Sequence, residues 1–93
     1  MRNYETTFIL NPNLAEEQEN AVVDKISSII TSANGEIVEI NRWGKKRLSY
    51  EIGDFKEGNY IVLKFKSLPE QAAEVTRILK IQDEVLRSLV VRN

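Results

Sequence analysis

Residues Tyr4 to Leu10 alternate in character, with Tyr4, Thr6, Phe8 and Leu10 on one side and Glu5, Thr7 and Ile9 on the other. Side chains of a strand point to opposite faces in turn, so this period of two predicts a strand. Asn11-Pro12-Asn13 ends it, because proline lacks an amide donor and fixes its own φ. The pattern then changes to helical spacing, with Val22, Ile26, Ile29, Ile30 and Ala33 forming one apolar stripe. Asn13 is placed to cap that helix, with Glu16 three residues on. Asn34-Gly35 closes it, the glycine being expected to supply the left-handed cap.

A long second strand is expected from Glu36 to Ile52. Its alternation breaks at Trp43-Gly44, which predicts a bulge or bend there. From Lys45 the odd positions are polar (Lys45, Arg47, Ser49, Glu51), and from Leu48 the even ones are apolar (Leu48, Tyr50, Ile52). Residues 53–58 read as a hairpin connection and Tyr60–Lys66 as the third strand. Ser67-Leu68-Pro69-Glu70 resembles a capping box opening a second helix to about Lys80, with Ala72, Val75, Ile78 and Leu79 as its stripe. After a link at Asp83 and Glu84, Val85–Arg92 is the last strand. The order βαββαβ packs most economically as a four-stranded antiparallel sheet with both helices on one face, an α+β single domain over residues 1–93. Right-handed crossovers then put the first and third strands in the middle. The second strand becomes an edge, and a sheet face carrying Tyr60 and Val62 is left without a helix to cover it.

Composition narrows the chemistry. The chain has no cysteine and no histidine, so thiolate metal sites are excluded and the commonest general base is missing. Ser27 and Ser28 sit in a helix with no base near in sequence, Glu16 and Glu17 read as a favourable helix start, and no glycine-rich loop resembles a phosphate cradle. An enzyme is therefore not expected, nor a cofactor or a small-molecule substrate. The first residues lack the apolar core of a signal peptide and no run approaches a membrane span, so a soluble cytoplasmic protein is expected. Net charge is −1, so any binding of a polyanion must come from local clustering. Four of the thirteen basic residues, Arg42, Lys45, Lys46 and Arg47, fall within six positions beside Trp43. Lysine and arginine so grouped suit phosphates; the ordinary alternative is an edge strand kept soluble by its charges. The third strand has only Tyr60 where RNA-recognition sheets carry several aromatics.

Three stretches together resemble the bacterial small-subunit ribosomal protein six family. They are Arg2-Asn3-Tyr4-Glu5 with Asn11-Pro12, then Trp43-Gly44-Lys45-Lys46-Arg47-Leu48-Ser49-Tyr50-Glu51-Ile52, and lastly Asp83-Glu84-Val85-Leu86-Arg87-Ser88-Leu89-Val90-Val91. The middle one is similar to the family's Gly-x-basic-x-Leu-small-Tyr-x-Ile pattern. The resemblance implies a ferredoxin-like fold and a structural place in the small ribosomal subunit. It further implies binding to the central domain of small-subunit (16S) rRNA, together with small-subunit protein eighteen. By matching positions, Arg2, Lys45, Lys46, Arg47 and Arg87 would face RNA, while Trp43, Leu48, Tyr50 and Tyr60 would meet the protein partner. A protein-interaction module of the same fold, with no direct RNA role, is the competing reading. The two separate on whether the five basic residues form one patch. Trp43 is expected to be presented outward to the partner, the alternative being that it folds back over the bend at Gly44 into the core.

Overall fold

The computed structural model describes residues 1–92 and contains β1 (Arg2–Leu10), α1 (Glu16–Ser32), β2 (Glu36–Ile52), β3 (Phe55–Ser67), α2 (Pro69–Ile81) and β4 (Val85–Arg92). The strands form one antiparallel sheet in the order β2-β3-β1-β4. Both central strands are thus the expected ones, and β2 is an edge. β1 lies against β3 from Arg2 opposite Ser67 to Leu10 opposite Asn59, which brings Tyr4, Thr6 and Phe8 level with Phe65, Leu63 and Ile61. That side of the sheet is buried under the helices. Val22, Ile26 and Ile30 of α1 and Ala72, Val75, Ile78 and Leu79 of α2 close the core over it, and Tyr4 stacks on Phe65 at 5.5 Å. Apolar area removed from water along these stripes is the main favourable term holding the layers together.

The element ends differ from the sequence expectation, each for a local reason. α1 is capped at Ala15, not Asn13. The Asn13 N–H donates to Asn11 Oδ1 at 2.9 Å, so Asn13 belongs to the turn leaving β1. The Ala15 N–H donates to Gln18 Oε1 at 3.0 Å, which supplies the returning half of a capping box. At the other end Asn34, not Gly35, takes the left-handed conformation, with φ 64°. Gly35 is needed for space: a β-carbon there would lie 2.5 Å from the Ile30 carbonyl oxygen and 2.8 Å from that of Lys66. Its N–H donates to the Ile30 carbonyl at 2.8 Å. α2 is capped at Leu68, with Pro69 in the first turn. The buried Ser67 hydroxyl donates to the Leu68 carbonyl at 3.0 Å instead of capping.

β2 carries the expected break and two more. Arg42 faces Ile61 and Gly44 faces Tyr60, so Trp43 is the surplus residue of a bulge in which Gly44 has φ 79°. Val38 is a similar surplus between Ile37 and Glu39. Beyond Arg47 the strands slip further: β2 advances from Arg47 to Ile52 while β3 covers only Glu57 to Phe55. The hairpin is also tighter at its end than expected, since β3 begins at Phe55 and only Gly53-Asp54 turn.

Candidate nucleic-acid and partner interface

The face of the sheet away from the helices is built from alternate residues of all four strands. Ile9 pairs with Tyr60 on one side and Arg87 on the other, while Thr7 pairs with Val62 and Leu89. Val62 is buried within this row, whereas Leu89 and Val91 of the outer strand β4 are exposed.

The bulge sets the β2 end of this face. Trp43 stacks on Tyr60, with centroids 6.4 Å apart and rings within 11° of parallel. Lys46 Nζ sits 5.8 Å from the Trp43 ring, in cation–π range. Trp43 is 56% exposed. It is therefore presented outward, and the alternative of a core tryptophan is set aside.

The basic run divides between two faces. Lys46 lies opposite Gly58 and leans on Trp43, on the open side. Lys45 lies opposite Asn59 and Arg47 opposite Glu57. Asn59 points to the helix layer, where its Nδ2 donates to Glu19 Oε2 at 2.8 Å, so Lys45 and Arg47 lie on that side of the hairpin. Arg42, counted with the run in sequence, is committed to the fold. Its Nη1 donates to Asn20 Oδ1 at 2.6 Å and to Glu19 Oε1 at 3.3 Å, tying β2 to α1.

The five basic residues, whose grouping would have separated the RNA-binding reading from a protein-interaction module, do not form one patch, and on that feature the second reading is favoured. Arg2 lies opposite Ser67 and Lys45 opposite Asn59, at the two ends of the β1–β3 ladder, which eight strand residues put about 26 Å apart. The cause is antiparallel pairing, which sets the start of β1 beside the end of β3. Arg92, opposite Tyr4, is at Arg2's end of the sheet. Arg87 is at the other end, opposite Ile9 and on the open face.

Arg87 meets the hairpin tip. Its guanidinium carbon is 5.8 Å from the centre of the Tyr50 ring, although β3 and β1 separate the two strands that carry them. The slack in β2 between Arg47 and Ile52 lets the tip fold across the face. Below it is a cavity of about 240 Å³ lined by Ile9, Leu48, Ser49, Tyr50, Ile52, Tyr60, Arg87, Ser88 and Leu89. Gly58 leaves room for Ile9 beneath the tip: a β-carbon there would stand 2.2 Å from Ile9 Cγ2. In sequence Gly58 reads as a turn glycine. Its packing role, the role of Arg42 and the Tyr50–Arg87 meeting depend on side chains distant in the chain and leave no local pattern to find.

The arrangement places the cations Lys45 and Arg47 on the helix side of the hairpin and a mixed aromatic, aliphatic and cationic surface on the other. The family model described as Ribosomal protein S6 matches residues 3–92. The small ribosomal subunit protein bS6 of Desulforudis audaxviator is 46% identical over 99% of this chain and 98% of its own length. That of Moorella thermoacetica is 44% identical over 99% and 94%. Among solved structures, the 30S ribosomal protein S6 of Thermotoga maritima superposes with a TM-score of 0.90 at 31% identity, covering 99% of this chain and 87% of that one.

Proposed function

The chain belongs to the ribosomal protein S6 family, and from that premise we propose that it binds the central domain of small-subunit rRNA jointly with small-subunit protein eighteen. Membership makes it a structural constituent of the small ribosomal subunit, with the ferredoxin-like fold and no enzymatic role. In the proposed division of labour Lys45 and Arg47 hold phosphates on the helix side of the hairpin, Lys46 reaches them from the open side beside Trp43, and Arg2 is a separate anchor at the far end of the sheet. Trp43, Leu48, Tyr50 and Tyr60 form the protein-facing surface, beside a β2 edge whose backbone is open to pairing.

The observation that carries this reading is the two-sidedness of the β2–β3 hairpin. It turns Lys45 and Arg47 to one side and the Trp43–Tyr60 stack to the other, so one projecting element can meet an RNA and a protein at once. The test is titration of a central-domain rRNA fragment with the Lys45→Ala, Lys46→Ala double variant, protein eighteen being present throughout, at several salt concentrations. Affinity should fall, and the slope of log K against log salt should flatten by roughly 0.9 for each phosphate no longer neutralised, taking the duplex DNA value. An unchanged affinity and slope would remove the hairpin from the RNA surface.

A further inference from the structure

Resting on the reading of the hairpin as an RNA-binding element, we infer that Glu19 is a specificity-determining residue. It withholds Arg42 from phosphate, so that the helix side of the hairpin offers two cations to RNA instead of three. The register sets the row. Arg42, Lys45 and Arg47 stand opposite Ile61, Asn59 and Glu57, alternate residues of β3, so neighbours in the row are about 7 Å apart. In an unbroken strand the three-residue step from Arg42 to Lys45 would put them on opposite faces. The surplus Trp43 of the bulge restores the phase and brings Arg42 into line with the other two. Of the three, Arg42 is the one that belongs to an ion pair among the described residues.

Glu19 is fixed in place by the fold. Its Oε2 accepts from Asn59 Nδ2 and its Oε1 from Arg42 Nη1, so the carboxylate spans both strands of the hairpin at its root. The Glu19 side chain is 17% exposed against 40% for Arg42. The anion is thus anchored inside while the cation reaches solvent. Both hydrogen bonds of Arg42 use Nη1, one to Glu19 and one to Asn20, and its other N–H groups have no protein partner among the described residues. Charge is what keeps a phosphate away: it would sit beside a carboxylate, on a pair whose charges sum to zero. Asn20 positions Arg42 without neutralising it; Glu19 neutralises it. The restraint matters because phosphate contacts carry no sequence information, so a third cation in the row would strengthen binding to any RNA.

The test titrates the heterodimer that the chain forms with small-subunit protein eighteen against the central-domain rRNA fragment and against an unrelated RNA duplex, at several salt concentrations. Glu19→Gln should bind both RNAs more tightly, by up to about tenfold at 0.1 M salt, with the slope of log K against log salt steeper by roughly 0.9, taking the duplex DNA value. Adding Arg42→Gln to Glu19→Gln exchanges one neutral pair for another and should return affinity and slope to those of the unaltered chain. A merely structural Glu19 would lower the denaturant melts and could not steepen the slope. An unchanged slope with Glu19→Gln, a gain that persists in the double variant, a double variant weaker than the unaltered chain, or a gain confined to the central-domain fragment would each overturn the withholding. If the Lys45→Ala, Lys46→Ala variant also leaves RNA binding unmoved, the hairpin reading fails and the withholding with it. If the lysine variant weakens binding and the Glu19 variants are silent, the reading stands and the withholding alone falls.

Discussion

Trp43 is an exposed ring lying on Tyr60, so its removal should cost the free protein little, about 1 kcal/mol. The same Trp43→Ala change should cost the heterodimer more than about 2 kcal/mol, as buried interface aromatics do. Denaturant melts beside calorimetric titration separate the two, and a large shift in the melts with none in the titration would return Trp43 to the fold. Gly58 makes the opposite kind of prediction. Gly58→Ala forces a β-carbon onto Ile9 Cγ2, and because Ile is stiff at χ1 the strain should cost about 1–3 kcal/mol. Combining it with Ile9→Ala, which removes that methyl, should recover part of the loss, read as a positive coupling in a double-mutant cycle. At this scale the sequence was only partly legible. The break at Trp43-Gly44 was readable because a glycine inside a strand pattern marks a bulge, whereas the bulge at Val38 carries no such marker. The spatial demand on Gly35 was not, since it comes from the Ile30 and Lys66 carbonyls, one of them on another strand.

Elements were the most legible level. The six predicted segments are the six observed, because a period of two or of 3.6 repeats its message at every residue, whereas a cap states its own once. Asn13 had the right chemistry to cap α1, but Asn11 took its amide first. The shared stripe on the helices predicts that Ile26→Ala or Leu79→Ala, each at a fully buried site, should cost about 2–5 kcal/mol in denaturant melts. A surface-like loss at both would mean that the stripes were assigned to the wrong faces. The outer face of α2 gives a contrasting case. Glu74 accepts hydrogen bonds from Arg77, which hold its carboxyl below the ordinary range. A lowered carboxyl stabilises the fold above its unfolded pKa and loses that contribution as pH falls through the folded one. Since the pair is exposed, Glu74→Gln should leave the neutral-pH melt almost unmoved and remove only a small acid-side dependence.

For the molecule as a whole, the sheet sorts what the sequence presents as one basic surface into two distant ends. Arg2 and the Lys45–Arg47 run are separated by more than the screening length of about 10 Å at 0.1 M salt, so their effects on RNA affinity should be independent. Arg2→Ala combined with the double lysine variant should give the sum of the separate losses within about 0.5 kcal/mol. A strongly non-additive result would mean that one RNA segment wraps both ends cooperatively. The family and its fold were readable from three short stretches, but the division of the basic residues required the antiparallel register of β1 on β3, which no stretch contains by itself. The turn after α1 adds a consequence in time. Asn34-Gly35 is the only asparagine–glycine pair in the chain, the sequence most prone to spontaneous deamidation, in which the glycine amide nitrogen attacks the asparagine side chain. In the folded protein that nitrogen donates its hydrogen to the Ile30 carbonyl and the glycine packs against the Lys66 backbone, which opposes ring closure. Chains that open this turn should age there faster. The mass-spectrometric rate of deamidation at Asn34 should therefore follow the fraction of time the turn is open, rising in denaturant, making each molecule a slow chemical record of its own unfolding.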